Sequence, residues 1–245
     1  MIDVPPLDER SKSLWNALLD LATQVPTGWA LVGGQMVRLH GLAHGSEQPR
    51  ASIDADLVAD VRADPRILRT ITEALTTGGF APPDAALAVD VGHRFIREDV
   101  IIDILAPDNL GHRANLRTVR RATTLEVGGG TYALSRANCV EIQIEGRRGV
   151  VLLPDLAGAL VIKAVAAVRD HGRRGPARHL SDLAFMLSLV EDAIKLRETL
   201  GPRNCRRIRD VTALHSSEHE AWTALGAGLS TVGRRNFALI ANTLG

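Results

Sequence analysis

Two aspartates one residue apart, Asp54 and Asp56, lie in the run Arg50-Ala-Ser-Ile-Asp-Ala-Asp-Leu-Val-Ala59. On an extended strand, residues two apart point to the same face. The pair would stand side by side, and like charges at that range repel and resist burial. A divalent cation offsets the repulsion, and hard carboxylate oxygens suit Mg²⁺. The same spacing also fits two exposed acids on an edge strand. A third carboxylate, Asp103, interrupts the apolar run Val100-Ile-Ile-Asp-Ile-Leu105. An ionised acid there is costly unless it is exposed, paired or metal-bound. If its strand lies beside the Asp54 strand, three carboxylates converge into a cradle for one or two Mg²⁺ ions and a nucleoside triphosphate.

Upstream, Trp29-Ala-Leu-Val32 runs into Gly33-Gly34. Glycines between a strand and a helix let backbone N–H groups approach a phosphate, and a helix N-terminus favours an anion. An ordinary tight turn has the same sequence. Ser52 precedes Asp54 by two and could touch a triphosphate through its hydroxyl. Arg50 is a candidate partner for triphosphate oxygens by charge and location.

Further along, Lys163 is the sole charged residue between Asp155 and Arg169. Only three of the 29 basic residues are lysines (Lys12, Lys163, Lys195). A lysine kept inside LAGALVIKAVAAV suits a compact ammonium at a phosphate, or one snorkelling from a helix flank. Asp182 falls on the following helix. It could orient Lys163, assist deprotonation of an acceptor hydroxyl, or form a buried structural ion pair with that lysine.

Taken together, Gly33-Gly34, Asp54-x-Asp56 and Asp103 resemble the polymerase-β-like nucleotidyltransferase superfamily. Within it, the chain looks like the AbiEii/AbiGii toxin family. The resemblance rests on GGQMVRLHG (33–41), RASIDADL (50–57), HRFIREDVIIDILAPDNLG (93–111), VIKAVA (161–166) and RHLSDLAFML (178–187), most of residues 28–190. It implies an α+β fold: a mixed sheet with flanking helices, followed by a C-terminal helical bundle. It implies Mg²⁺, with two ions as an option, bound by Asp54, Asp56 and Asp103. Gly33, Gly34, Arg50, Ser52 and Lys163 would hold a nucleoside triphosphate, and Lys163 and Asp182 would join the catalytic set. The implied reaction moves a nucleoside monophosphate onto an acceptor hydroxyl, with the tRNA 3′ end as the family's acceptor and an antitoxin as its partner. In some such toxins a serine in the place of Ser52 is phosphorylated, which inactivates them. Transfer to a protein hydroxyl and a non-catalytic nucleotide-binding regulator are the alternatives.

The elements that must position these residues follow from hydrophobic periodicity. Residues 7–24 and 65–77 read as amphipathic helices, 29–32 and 53–61 as strands, and 35–42 as a short helix. Strands near 93–98 and 99–106 suggest a hairpin, and short β-prone runs alternate with glycine turns over 117–153. After Pro154 helical runs dominate: 155–170, 178–200, 203–214, 217–228 and 232–243. The expected organisation is a nucleotidyltransferase-like α/β domain over 1–153 and a helical domain over 154–245.

Composition narrows the classes. The chain has 245 residues, 45% hydrophobic and 23% charged, as in globular proteins. Two cysteines without metal-ligand spacing argue against a disulfide scaffold or zinc module and fit a reducing compartment. No apolar run reads as a membrane span and the N-terminus lacks a signal pattern, so a cytoplasmic protein without a membrane partner is expected. The net charge is +1, yet Arg169 to Arg209 holds ten basic residues against five acidic, which fits either attraction of phosphates or a solvated helical surface. His40/His44 and His215/His219 lack zinc-site context, and Ser135 and Ser216 lack a nucleophile elbow. Aromatics at 3% argue against stacking platforms for single strands.

Overall fold

Asp8 accepts a hydrogen bond from the Ser11 amide at 2.7 Å and so starts the first helix, α1 (Glu9–Gln24), whose Leu14, Leu18, Leu19 and Leu21 are buried. The computed structural model describes residues 1–5, 8–47, 52–111, 114–119, 122–170 and 175–241. Within them the fold is α+β, with ten α-helices and a mixed sheet. The elements divide into two units: Met1–Met36 with Ser52–Pro154, and Val37–Ala51 with Asp155–Gly245. One division thus falls after Pro154, and the segment from Val37 is grouped with the later residues.

The first unit holds two sheets. The smaller is ordered β1 (Ile2–Val4), β7 (Ala137–Ile144), β8 (Arg147–Pro154), with β1 parallel to β7. The larger is ordered β2 (Trp29–Val32), β3 (Asp54–Ala59), β5 (Val100–Pro107), β4 (Arg94–Arg97), and β6 (Glu126–Val127) adds to the end of β5. β3 runs parallel to β5, while β2 and β4 are antiparallel to their neighbours. Ala55, Leu57, Ile102 and Ile104 are fully buried, so one face of the central pair lies in the core. This unit also carries α3 (Ile67–Thr77), the short α4 (Asp84–Leu87) and α5 (Gly130–Ser135); α2 (Gly33–Ala43) starts in it.

Strand β1 and helices α4 and α5 lie outside the sequence expectation. A three-residue strand shows no periodicity of its own and forms by pairing with β7. At α5, Gly129 at φ +85° turns the chain, and the Thr131 amide donates to Asp108 Oδ1 at 3.0 Å. These tertiary partners override the β-prone composition.

The second unit is helical: α6 (Leu156–Arg169), α7 (Ala177–Ser188), α8 (Ala193–Arg209), a 3₁₀ turn at Thr212–His215, α9 (Glu220–Thr223) and α10 (Ala227–Ala241). The expected continuous helix over 178–200 breaks after Ser188. Asn236 donates to the carbonyls of Leu187 at 3.0 Å and Val190 at 2.8 Å, capping α7 from α10, and Asp192 caps the start of α8. Among the described residues no helix is long and apolar enough to cross a membrane.

Candidate functional site

The Asp54/Asp56 strand is β3, and it pairs in parallel with β5 such that Asp56 is the register partner of Asp103. Register partners share a face, as do residues two apart, so Asp54, Asp56 and Asp103 all stand on one side of the sheet. Asp54 and Asp56 are half-buried; Asp103 is 6% exposed. Among the described residues, no three His, Cys, Asp or Glu groups form a preassembled metal cluster.

The partner of Asp103 was absent from the sequence expectation. Strand β4 brings Arg94 opposite Asp103 on the same face, and the guanidinium binds both carboxylate oxygens, Nε–Oδ1 at 2.8 Å and Nη2–Oδ2 at 2.6 Å. Bonding to Asp103 raises the Arg94 pKa; burial opposes this, and the charges of Asp103, Asp54 and Asp56 reinforce it. One arginine therefore pairs with one of the three acids on this face and lies within the field of the other two. Its neighbour His93 is held below its ordinary pKa, chiefly by burial and further by Arg94, with Asp103 opposing.

Helix α2 begins directly after β2, and Val32 is the register partner of Asp56. Gly33 has φ +70°, and a Cβ there would lie 2.7 Å from Asp56 Cγ. Only glycine allows the turn and the Asp56 carboxylate to share that space. Gly34 follows in the first turn of α2. The next residue, Gln35, is fully buried, and its Nε2 donates to the carbonyls of Ser52 at 2.9 Å and Asp54 at 3.4 Å. Gln35 thereby ties the α2 turn to the start of β3, a positioning role that no spacing rule signals. Ser52 lies just before the strand, and its hydroxyl donates to Asp54 Oδ1 at 3.1 Å. Arg50 lies outside the described residues.

Lys163 and Asp182 meet within the helical unit. Lys163 Nζ lies 2.7 Å from Asp182 Oδ2, and their side chains are 5% and 1% exposed. His179, one turn before Asp182 on α7, has Nε2 3.0 Å from Asp170 Oδ2. Its pKa falls to about 4, first through burial and then through the charges of Lys163 and Arg178, against the pull of Asp170. The sequence singled out the lysine and the aspartate but not this histidine, which has no spacing signal.

Carboxylate oxygens on one sheet face are suitable donors for Mg²⁺. Mg²⁺ is usually held by one or two carboxylates together with substrate phosphates, rather than by a closed protein cage. Asp54 and Asp56 meet that requirement, whereas Asp103 is already engaged by Arg94. Histidines at i,i+4 spacing have backbone partners: His44 Nδ1 lies 2.8 Å from the His40 carbonyl, His215 Nε2 lies 2.8 Å from the Arg209 carbonyl, and His219 caps α9. The chain matches no protein-family model, no curated protein and no solved structure.

Proposed function

We propose that the protein is a Mg²⁺-dependent nucleotidyltransferase, built on a polymerase-β-like sheet and acting as an AbiEii-like toxin with the tRNA 3′ end as acceptor. The observation that carries this reading is the common face of Asp54, Asp56 and Asp103, with the Gly33 turn pressed against Asp56. The Ser52 hydroxyl and the Gln35 bonds keep the start of β3 fixed, so Asp54 and Asp56 are oriented before substrate arrives. When bound, Mg²⁺ supplies positive charge to the phosphoryl oxygens. Asp54 and Asp56 would hold it. Arg94 limits repulsion among the acids by neutralising Asp103. An acceptor hydroxyl would bond to the α-phosphorus and release its proton to solvent as the bond from the α-phosphorus to the bridging oxygen breaks and pyrophosphate leaves.

Lys163 and Asp182 enter through the resemblance, as a phosphate-directed ammonium and the acid that orients it. The deciding experiment incubates the protein with total RNA, total protein, Mg²⁺ and each labelled nucleoside triphosphate in turn. Label in RNA supports the reading. Label in protein alone moves the acceptor to a protein hydroxyl, and no label in either removes the transferase assignment.

A further inference from the structure

Among the described elements helix α8 is the most basic: Lys195, Arg197, Arg203, Arg206, Arg207 and Arg209 stand against one acid, Glu198. It is also bent. Gly201 takes φ +68° and ψ 170°, and Pro202 has no N–H to return to the Glu198 carbonyl. The Cys205 thiol reaches back across the kink to the Arg197 carbonyl at 3.6 Å. Beside the kink lies an open cavity of about 520 Å³, with Arg197, Arg206 and Arg209 on its walls and Ile194, Ile240 and Ala241 among its apolar lining.

Among the described residues, Arg197 and Arg206 have no carboxylate partner. Arg209 has only a long contact to Asp210, 4.0 Å away. All three arginines are exposed. Burial pushes the Cys205 thiol up, so no thiolate offsets them at neutral pH. Three guanidinium forks around a concave surface, against Glu198 in the lining and Asp210 at 4.0 Å from Arg209, suit an anion that repeats along a chain. The lining has no aromatic ring on which a base could stack.

We infer that the kinked α8 groove binds a nucleic acid through its phosphodiester backbone, without reading sequence. The inference goes beyond the proposed transfer reaction and does not depend on it. Contacts of this kind position a nucleic acid and weaken steeply with salt.

The test measures binding of two fluorescent RNA hairpins of unrelated sequence to the full chain, across a salt series and without nucleotide or Mg²⁺. The groove predicts equal affinity for both hairpins and a linear fall of log affinity with log salt. Arg197→Gln, Arg206→Gln and Arg209→Gln should each reduce that slope by about one. Arg69→Gln, which removes a surface arginine paired with Glu73 on α3, should leave the slope unchanged. Thermal unfolding of each variant checks that the fold survives. Unchanged binding by the triple arginine variant would overturn the inference. So would equally tight, equally arginine-dependent binding of polyglutamate, which would assign the groove to an acidic protein segment. Because no nucleotide is present, loss of binding here is distinguishable from failure of the transferase reading.

Discussion

Gly33 and Asp56 occupy one space: a Cβ on the first would come within 2.7 Å of the second's carboxyl carbon, at a backbone φ of +70°. Gly33→Ala therefore meets a left-handed backbone and a fixed carboxylate at once. It should cost about 2 kcal/mol or more in urea unfolding, since the left-handed conformation alone costs an L-residue roughly 1–2 kcal/mol. Gly228 is the contrast. It lies in the first turn of α10, with nothing within 4 Å of its added Cβ. Gly228→Ala should be neutral or stabilise by up to about 1 kcal/mol. Equal behaviour of the two variants would contradict the tight turn.

The Lys163–Asp182 pair is nearly sealed from solvent. Lys163→Met leaves Asp182 buried without its ammonium and should cost about 3–5 kcal/mol in chemical denaturation. Lys163→Met/Asp182→Leu removes both charges and should recover most of that loss. Nucleotide incorporation by the recovered double variant then separates two roles. An inactive but stable protein supports the phosphate-directed lysine, and an active one reduces the pair to a structural bridge.

His179 makes stability depend on pH. Its folded pKa of about 4 lies below the ordinary 6.5 because burial, Lys163 and Arg178 disfavour the imidazolium. Between those values the unfolded chain binds more protons than the folded one. Stability is full above pH 6.5 and falls as pH drops towards 4, by about 3 kcal/mol across the window. His179→Gln should flatten that part of the unfolding profile between pH 7 and 4. A wild-type profile that is flat there, or one unchanged in the variant, would contradict the assignment.

Much of the first unit was legible because its signals are local. Val32-Gly33-Gly34 marks a strand running into a helix, and the apolar β-prone runs that hold Asp54 and Asp103 mark two more strands. The Arg94–Asp103 bond was legible only in retrospect. The hairpin turns at Glu98-Asp99, pairing Arg97 with Val100 and thus Arg94 with Asp103. That register depends on turn geometry, including the positive φ of Glu98, which periodicity does not encode. The break between α7 and α8 was hidden for a related reason. Asn236, far along the chain, caps the α7 carbonyls, so local propensity read one helix where tertiary contact makes two. Gln35 carries no sequence signal because its work is done through backbone carbonyls.

The central claim is that the shared face of Asp54, Asp56 and Asp103 drives nucleotide transfer, and Asp56→Asn tests it most directly. The substitution keeps the side-chain shape beside Gly33 and removes one of three like charges, so thermal unfolding without metal should be unchanged or slightly higher. Mg²⁺-dependent incorporation of labelled nucleotide into RNA should fall about 100-fold or more, the scale of one lost electrostatic contact in a transition state. Full incorporation by a folded Asp56→Asn protein would contradict the account.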